Sequence, residues 1–376
     1  MSALKKVLIV GGGIGGLSTA IALRQAGVAQ VDVIEINAEP KVYHVGIVVQ
    51  ANFIRAMAAL GIADQAVEAG FPYQGLRICN VEGEVKAELS GAQLAGEQYP
   101  ANLGLTRPAL HKVLLDAIAR EGVNLKLGLT FEKIEQTPEQ ALVTFTDGTQ
   151  DSYDLVVGAD GVYSKVRSHV FGEQYKPKFT GQGVWRYNLP RPKDLMYSHM
   201  FEGKSGGKVG YTPLTEDSLY ILAVWEELGN PFFDPNSLAD EFQKRLDGFG
   251  GLIPDLKQQI TDPSQVVYRP LEALLMPAPW YNGRVLLIGD AAHATTPHMG
   301  QGAAQAVEDA VVLGELAASA PDVQHVLDGF MERRYQRCKF INEGSLQIGE
   351  WEQRPTPDAN FAGMMAKMIE VTSQPI

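Results

Sequence analysis

Two cysteines in 376 residues, Cys79 and Cys338, are too few and too far apart for a disulfide framework, a CxxC redox pair or a cysteine zinc site. Cations are also outnumbered, with 32 Lys and Arg against 44 Asp and Glu, for a net charge of −12. Nucleic-acid binding draws on a surplus of cations facing phosphates, so no nucleic-acid partner is expected. A small anionic ligand is still allowed, because a few local Arg or Lys residues can override the field of the whole chain. No stretch reaches the ~20 apolar residues a membrane helix needs, so no membrane partner is expected either. None of the seven histidines sits in an HExxH or other ligand spacing, and no metal is expected. The first residues run straight into an apolar strand and leave no room for a signal peptide, which makes the cytoplasm the expected address. Internal repeats and low-complexity segments are lacking as well. What remains, 45% apolar and 20% charged, is the composition of a globular enzyme, and the length suggests two lobes.

What is present begins with a βαβ pattern. Val7-Leu8-Ile9-Val10 is a continuous apolar run, as expected of a strand buried on both faces of a parallel sheet. The turn Gly11-Gly12-Gly13-Ile14-Gly15-Gly16 follows, then a helix over about 14–26 with Leu17, Ala20, Ile21 and Leu23 on its packed face. In such a turn Gly11 permits the bend, Gly13 lets the backbone approach a pyrophosphate, and Gly16 brings helix and strand close together. The helix start offers free N–H groups and a partial positive charge to phosphates. Glu35, at the end of the next strand, is spaced to accept hydrogen bonds from a ribose diol. A turn serving packing alone would leave Glu35 unexplained. The implied ligand is a dinucleotide.

Two later segments also place an acid where a buried strand ends, the position at which open α/β sheets bind ligands. The first is Asp154-Leu155-Val156-Val157-Gly158-Ala159-Asp160-Gly161, followed by Ser164 and Arg167. The second is Arg284-Val285-Leu286-Leu287-Ile288-Gly289-Asp290, running on to Pro297-His298-Met299-Gly300-Gln301-Gly302. Gly300-Gln301-Gly302 opens a helix over about 301–319, so its backbone N–H groups can form an anion-stabilising nest. A further helix is expected over about 107–121, with Pro108 in its first turn and Gly122 after its end. Between about 131 and 157 the period changes to two, with a hairpin turn at Asp147-Gly148, which predicts an antiparallel meander. From about 176 to 269, short alternating segments such as Leu219-Tyr220-Ile221-Leu222-Ala223-Val224-Trp225 predict a mostly antiparallel sheet.

These motifs, in this order and spread over nearly the whole chain, resemble the group A flavoprotein aromatic monooxygenases, the family of para-hydroxybenzoate, salicylate and urate hydroxylases. The resemblance rests on GGGIGG, LTRPALHKVLL, VVGADGVYSKVR and RVLLIGDAAHATTPHMGQGAAQAVEDA. It implies an α/β fold in which a Rossmann-like FAD-binding domain, a parallel sheet with an antiparallel meander, is interleaved with a mostly antiparallel β-sheet substrate domain. The expected division is 1–72, 105–175 and 270–343 for FAD, 73–104 and 176–269 for substrate, and a C-terminal helical segment at 344–376. FAD is the implied cofactor, and NADH or NADPH the implied co-substrate. A second GxGxxG is missing, as expected of a family in which the nicotinamide nucleotide docks only in passing. The implied reaction hydroxylates a small aromatic ring by way of a flavin C4a-hydroperoxide formed from O2; the cofactor carries that chemistry and the protein positions it.

Residue by residue, the resemblance implies that Glu35 binds the adenosine ribose and that Arg107 contacts the ribityl or pyrophosphate region. Asp160 and Gly161 would serve FAD and the passing nucleotide, and Asp290 the ribityl or ribose side. Ile14, Gly15, Ile36, Val48 and Ala303 join the expected cofactor contacts. Pro297 and Gly300-Gln301-Gly302 would line the isoalloxazine edge, their N–H groups stabilising negative charge at the N1–C2 carbonyl. His298, Tyr220 and Lys208 complete the expected catalytic set, while Arg186, Tyr211, Trp225 and His44 are expected at the substrate. Urate hydroxylases use an Arg, a Tyr and an Asp. Tyr220 matches the Tyr, Lys208 stands near the Arg position and His298 replaces the Asp. That points away from urate itself, toward a phenol, hydroxypyridine or other purine-like heteroaromatic. The stretch 361–371, with Met364, Met365 and Met368, reads as a short apolar helix packed on the protein's own body, with a pocket cap, a subunit contact or a membrane contact as alternatives. The chain is expected as a monomer or homodimer. A flavin oxidase or dehydrogenase on the same scaffold, or a non-catalytic flavin redox sensor, are the competing readings.

Overall fold

The apolar runs at the chain's start, middle and end come together in one parallel sheet. The computed structural model describes residues 2–39, 42–203 and 207–376. Lys6–Val10 lies beside Gln30–Glu35 on one side and Leu155–Gly158 on the other, and Val285–Leu287 follows beyond Leu155–Gly158. Asn124–Leu127 closes one edge in parallel and Tyr281–Asn282 the other in antiparallel. Val7, Leu8, Ile9, Val156, Val157 and Leu286 are fully buried, which accounts for the lack of alternation in their sequence. Parallel register brings the carboxyl ends of four strands to one edge of the sheet. Gly11, Glu35, Ala159 and Gly289 therefore emerge side by side.

Helix Ile14–Gln25 covers the sheet and packs on Gly302–Ser319, which is buried along most of its length. A Cβ at Gly314 would lie 2.9 Å from the Ala22 Cβ, so glycine permits this close crossing. Arg107–Arg120 begins with its Thr106 hydroxyl capping the Ala109 N–H and Pro108 in the first turn. The expected meander is present as Phe131–Gln136, Ala141–Phe145 and Gln150–Tyr153.

The second large sheet has seven strands in the order Val267–Ala273, Lys178–Pro190, Ser218–Glu226, Lys208–Pro213, Ser198–Glu202, Leu76–Cys79 and Val85–Leu89. All neighbours are antiparallel except Ser198–Glu202 with Leu76–Cys79. One face buries Trp185, Phe201 and Tyr211 against Phe242, Ile253 and Leu256 of two short helices. The other face is left to the cleft. A small antiparallel sheet is formed by Gly46–Gln50, Asn102–Thr106 and Phe71–Pro72.

The expected boundary after residue 343 falls inside a single 31-residue helix, Val323–Gln353. The last helix, Phe361–Ser373, packs through Met364, Met365 and Met368 on a cluster with Met299, Ile341 and Ile348. No helix of the described residues is long and apolar enough to cross a membrane.

Candidate active site

A cleft of about 1150 Å³ runs along the carboxyl edge of the parallel sheet and under the open face of the antiparallel one. The glycine turn forms one end, and its three key glycines do different things. Gly11 has φ +114°, and a Cβ there would sit 2.4 Å from the Ala159 carbonyl oxygen. A Cβ on Gly16 would sit 2.0 Å from the Gly11 oxygen, so this glycine allows helix and strand to touch. Around Gly13 a Cβ would meet nothing within 4 Å. No side chain caps the helix that follows, which leaves its N–H groups facing the cleft beside Ile14 and Gly15. Open backbone, uncapped N–H groups and the helix dipole together fit a pyrophosphate. Glu35 lines the same end, its Oε2 accepting from the Gly12 N–H at 3.0 Å and Oε1 from the Asn37 N–H at 2.9 Å. Ile36 corrects the expectation. It is 66% exposed and lies outside the cleft lining, because the strand's alternation turns it away from Glu35 and Asn37.

Asp290 begins the turn Asp290–His293 at the end of Val285–Leu287. It faces the open space of the cleft, and no hydrogen-bond donor of the described residues reaches its carboxylate. Protein surrounds it on the other sides, and that desolvation raises its pKa, with His293 and Arg107 pulling the other way. The Arg107 guanidinium lines the cleft near Asp290 and Tyr220 and likewise has no hydrogen-bonded partner among the described residues. A carboxylate and a guanidinium left unpaired in one cleft are suited to a ligand carrying both hydroxyl and phosphate groups. Beneath Asp290, the Gly289 N–H donates to Asp309 Oδ2 at 2.9 Å, His293 Nε2 lies 2.7 Å from the same oxygen, and Arg334 Nε donates to Oδ1 at 2.7 Å. His293, Asp309 and Cys338 stand close enough to suggest a metal site. Arg334 already occupies the Asp309 carboxylate, however, so the cluster reads as the buried brace of the Asp290 turn.

Asp160 is placed differently from expectation. Its carboxylate accepts from the Lys165 N–H at 2.7 Å, the Val166 N–H at 3.0 Å and the Ser164 hydroxyl at 2.5 Å, capping helix Lys165–Phe171. Backbone beside it, Ala159 and Gly161, lines the cleft instead.

The antiparallel sheet supplies the cleft's other wall, and strand alternation decides which side chains reach it. Val184 and Arg186, Lys208 and Thr212, and Tyr220, Leu222 and Val224 face the cleft. Two expected substrate contacts face the other way. Tyr211 stacks on His199, with ring centroids 4.8 Å apart, and Trp225 packs on the far core, both one residue out of phase with the cleft face. His44 is a third correction, since its Nε2 reaches the Gln265 carbonyl at 3.0 Å outside the lining. Arg186 is pushed down to about 10 by burial and by the neighbouring Arg107, and Tyr220 is raised by burial. Val48 also lines the cleft, on Gly46–Gln50.

Further along the cleft from the glycine turn runs Pro297–Met299, then Gly300 at φ +65°, then helix Gly302–Ser319, whose start no side chain caps. Gln301 is fully buried. Its amide donates to Gln50 Oε1 at 2.8 Å and accepts from Asn52 Nδ2 at 2.8 Å, which fixes the turn. Gly302 and Ala303 line the cleft with uncapped N–H groups. His298 is buried, with Nδ1 2.8 Å from the Thr296 hydroxyl and Nε2 3.1 Å from Glu352 Oε2, though the latter is poorly aligned for a hydrogen bond. Lys208 Nζ lies 2.6 Å from Glu352 Oε1. His298 and Thr296 also wall a second cavity of about 700 Å³, which lies away from the glycine turn. Sequence reading missed Glu352, Asn52, Gln50 and the Asp309–Arg334 brace. Each acts across a long sequence separation, and no local pattern marks it.

The sequence matches the family described as the FAD binding domain over residues 5–227 and 257–340. It is 32% identical to the aurachin C monooxygenase/isomerase of Stigmatella aurantiaca, over 92% of this chain and 90% of that protein. It is also 32% identical to the 2-heptyl-3-hydroxy-4(1H)-quinolone synthase of Pseudomonas aeruginosa, again over 92% and 90%. Among solved structures, Klebsiella pneumoniae HpxO complexed with FAD and uric acid superposes with a TM-score of 0.87 at 26% identity, covering 98% of this chain and 97% of that one.

Proposed function

The chain belongs to the FAD binding domain family, among its FAD-dependent monooxygenases, and from that premise we propose that it hydroxylates a small aromatic or heteroaromatic ring with electrons from NAD(P)H and an oxygen atom from O2. The balance is ring–H + O2 + NAD(P)H + H⁺ giving ring–OH + H2O + NAD(P)⁺. FAD, when bound, supplies the hydride-accepting and oxygen-activating chemistry.

This chain's own residues bind, orient and shield. Gly13 and the helix start behind it would take the pyrophosphate, Glu35 the adenosine ribose, and Asp290 with Arg107 the ribityl chain. The Gln301 and Gly302 N–H groups would face the ring edge where negative charge collects on reduction, while the Gly300 N–H closes the turn on the Pro297 carbonyl at 3.0 Å. The parallel sheet with helices Ile14–Gln25 and Gly302–Ser319 is assigned to that role, and the seven-stranded sheet to the substrate.

The observation that carries the reading is one arrangement: an unpartnered Asp290, an open Gly13 and an uncapped Gly302 helix around a single cleft. Opposite the Pro297 turn, the wall mixes apolar Val184, Leu222, Val224 and Met200 with Tyr220 and Lys208. A flat ring carrying one or two polar substituents fits such a wall. The quinolone and uric acid of the relatives' names are likewise flat heterocycles with polar substituents. The test is to follow NADH and NADPH oxidation and O2 consumption by the FAD-loaded protein with phenols, hydroxypyridines, quinolones and purines. Equal consumption of both with a hydroxylated product is expected; nucleotide-independent substrate oxidation would overturn the reading.

A further inference from the structure

We propose that Glu352, brought into the site by the long C-terminal helix, sets the charge preference of the substrate cavity by cancelling Lys208. The proposal rests on the reading of this part of the cleft as the substrate site.

Lys208 is the cation of the described residues that faces the cavity beside His298. Its ammonium spends one donor on Glu352 Oε1 at 2.6 Å. The other carboxylate oxygen accepts from Gln182 Nε2 at 3.3 Å and lies 3.1 Å from His298 Nε2. The side chains of Lys208, Glu352 and His298 are 16%, 13% and 1% exposed, so the three meet largely out of water. Burial alone would raise Glu352, but the Lys208 ammonium beside it holds it at about 2, and it is a carboxylate at neutral pH. Burial lowers His298, and Lys208 acts in the same direction, so the imidazole adds no cation. Thr296 and Gln182 contribute dipoles only. The remaining arginines of the cleft, Arg107, Arg186 and Arg269, neighbour one another and Tyr220 rather than His298.

The cluster thus presents a neutral pair with free N–H donors. A carbonyl or hydroxyl oxygen can accept from Lys208, whereas a carboxylate in the same place meets the Glu352 charge a few ångströms further on. Selection against the wrong ligand by a placed like charge is a recognised route to specificity. Glu352 is therefore a positioning residue that makes the cavity a site for uncharged ring substituents.

The probe is an isosteric pair, benzoate and benzamide, titrated into the FAD-loaded protein at neutral pH and followed through the flavin absorbance. Glu352→Gln keeps the shape and removes the charge. It is expected to move the affinity ratio at least tenfold toward benzoate. Glu352→Asp should hold the wild-type ratio, and adding Lys208→Met to Glu352→Gln should abolish the gain. FAD content and melting temperature of each variant separate this from a folding defect. A Glu352→Gln protein that gains no benzoate affinity, or a gain that survives the loss of Lys208, overturns the proposal. An unchanged ratio in an enzyme that still hydroxylates a neutral phenol would sink this inference alone. The charge switch in a protein without NAD(P)H-dependent hydroxylation would instead sink the functional reading.

Discussion

A methyl group added at Gly13 and one added at Gly16 meet opposite surroundings. At Gly13 the backbone has φ −83°, which alanine adopts freely, and the new Cβ would touch nothing within 4 Å. At Gly16 it would be driven to 2.0 Å from the Gly11 oxygen. Gly13→Ala should therefore fold with an unchanged melting temperature in the absence of FAD, yet bind FAD at least tenfold more weakly by fluorescence titration. Gly16→Ala should lose about 1–3 kcal/mol of stability in denaturant unfolding, the usual cost of overpacking. Equal stability losses in both would show that Gly13 serves packing rather than the ligand. The steric contrast between the two was legible in the sequence because it follows from backbone geometry over six residues. Asp160 was not, because an acid after a buried strand can face a ligand or cap the next helix, and Ser164 with the Lys165 and Val166 N–H groups captured it.

Elements decide what alternation leaves open. The period of two in Leu219–Trp225 marked a strand correctly, but only the packing of Leu238–Arg245 and Ile253–Gln258 on one face shows which parity looks into the cleft. Tyr211 and Trp225 fall on the wrong parity for that reason, while Lys208 and Tyr220 fall on the right one. Helix Val323–Gln353 was illegible for another reason: Glu352 meets a lysine 144 positions earlier in the chain. That contact has its own pH signature. Glu352 lies at about 2 in the folded protein against an ordinary 4.5, so the ion pair's stabilisation is complete above about pH 4.5 and is lost as pH falls toward 2. The melting-temperature gap between wild type and Glu352→Gln should stay constant from pH 6 to 8 and close between about pH 5 and 2. A gap that widens on acidification would contradict the assignment of the charge to Glu352.

At the scale of the molecule, the two large sheets meet along one cleft, and the glycine turn, the Asp160 segment and the Asp290 segment each lie at the carboxyl end of a parallel strand. This is why the glycine turn and the Asp290 turn were legible in the sequence: strand, turn and helix place each one locally, and the sheet's register brings them together. The opposite wall depends on the facing of a distant sheet and on the C-terminal helix, and of the residues expected there Lys208, Arg186, Tyr220 and His298 line the cleft. The proposed hydroxylation draws its electrons from the nicotinamide nucleotide and not from the ring compound. The FAD-loaded protein should be mixed without oxygen, first with NADH or NADPH and then, separately, with a ring compound that supports turnover in air. Bleaching of the flavin by the nicotinamide nucleotide, and none by the ring compound alone, is the predicted result; reduction of the flavin by the ring compound without the nucleotide would contradict it.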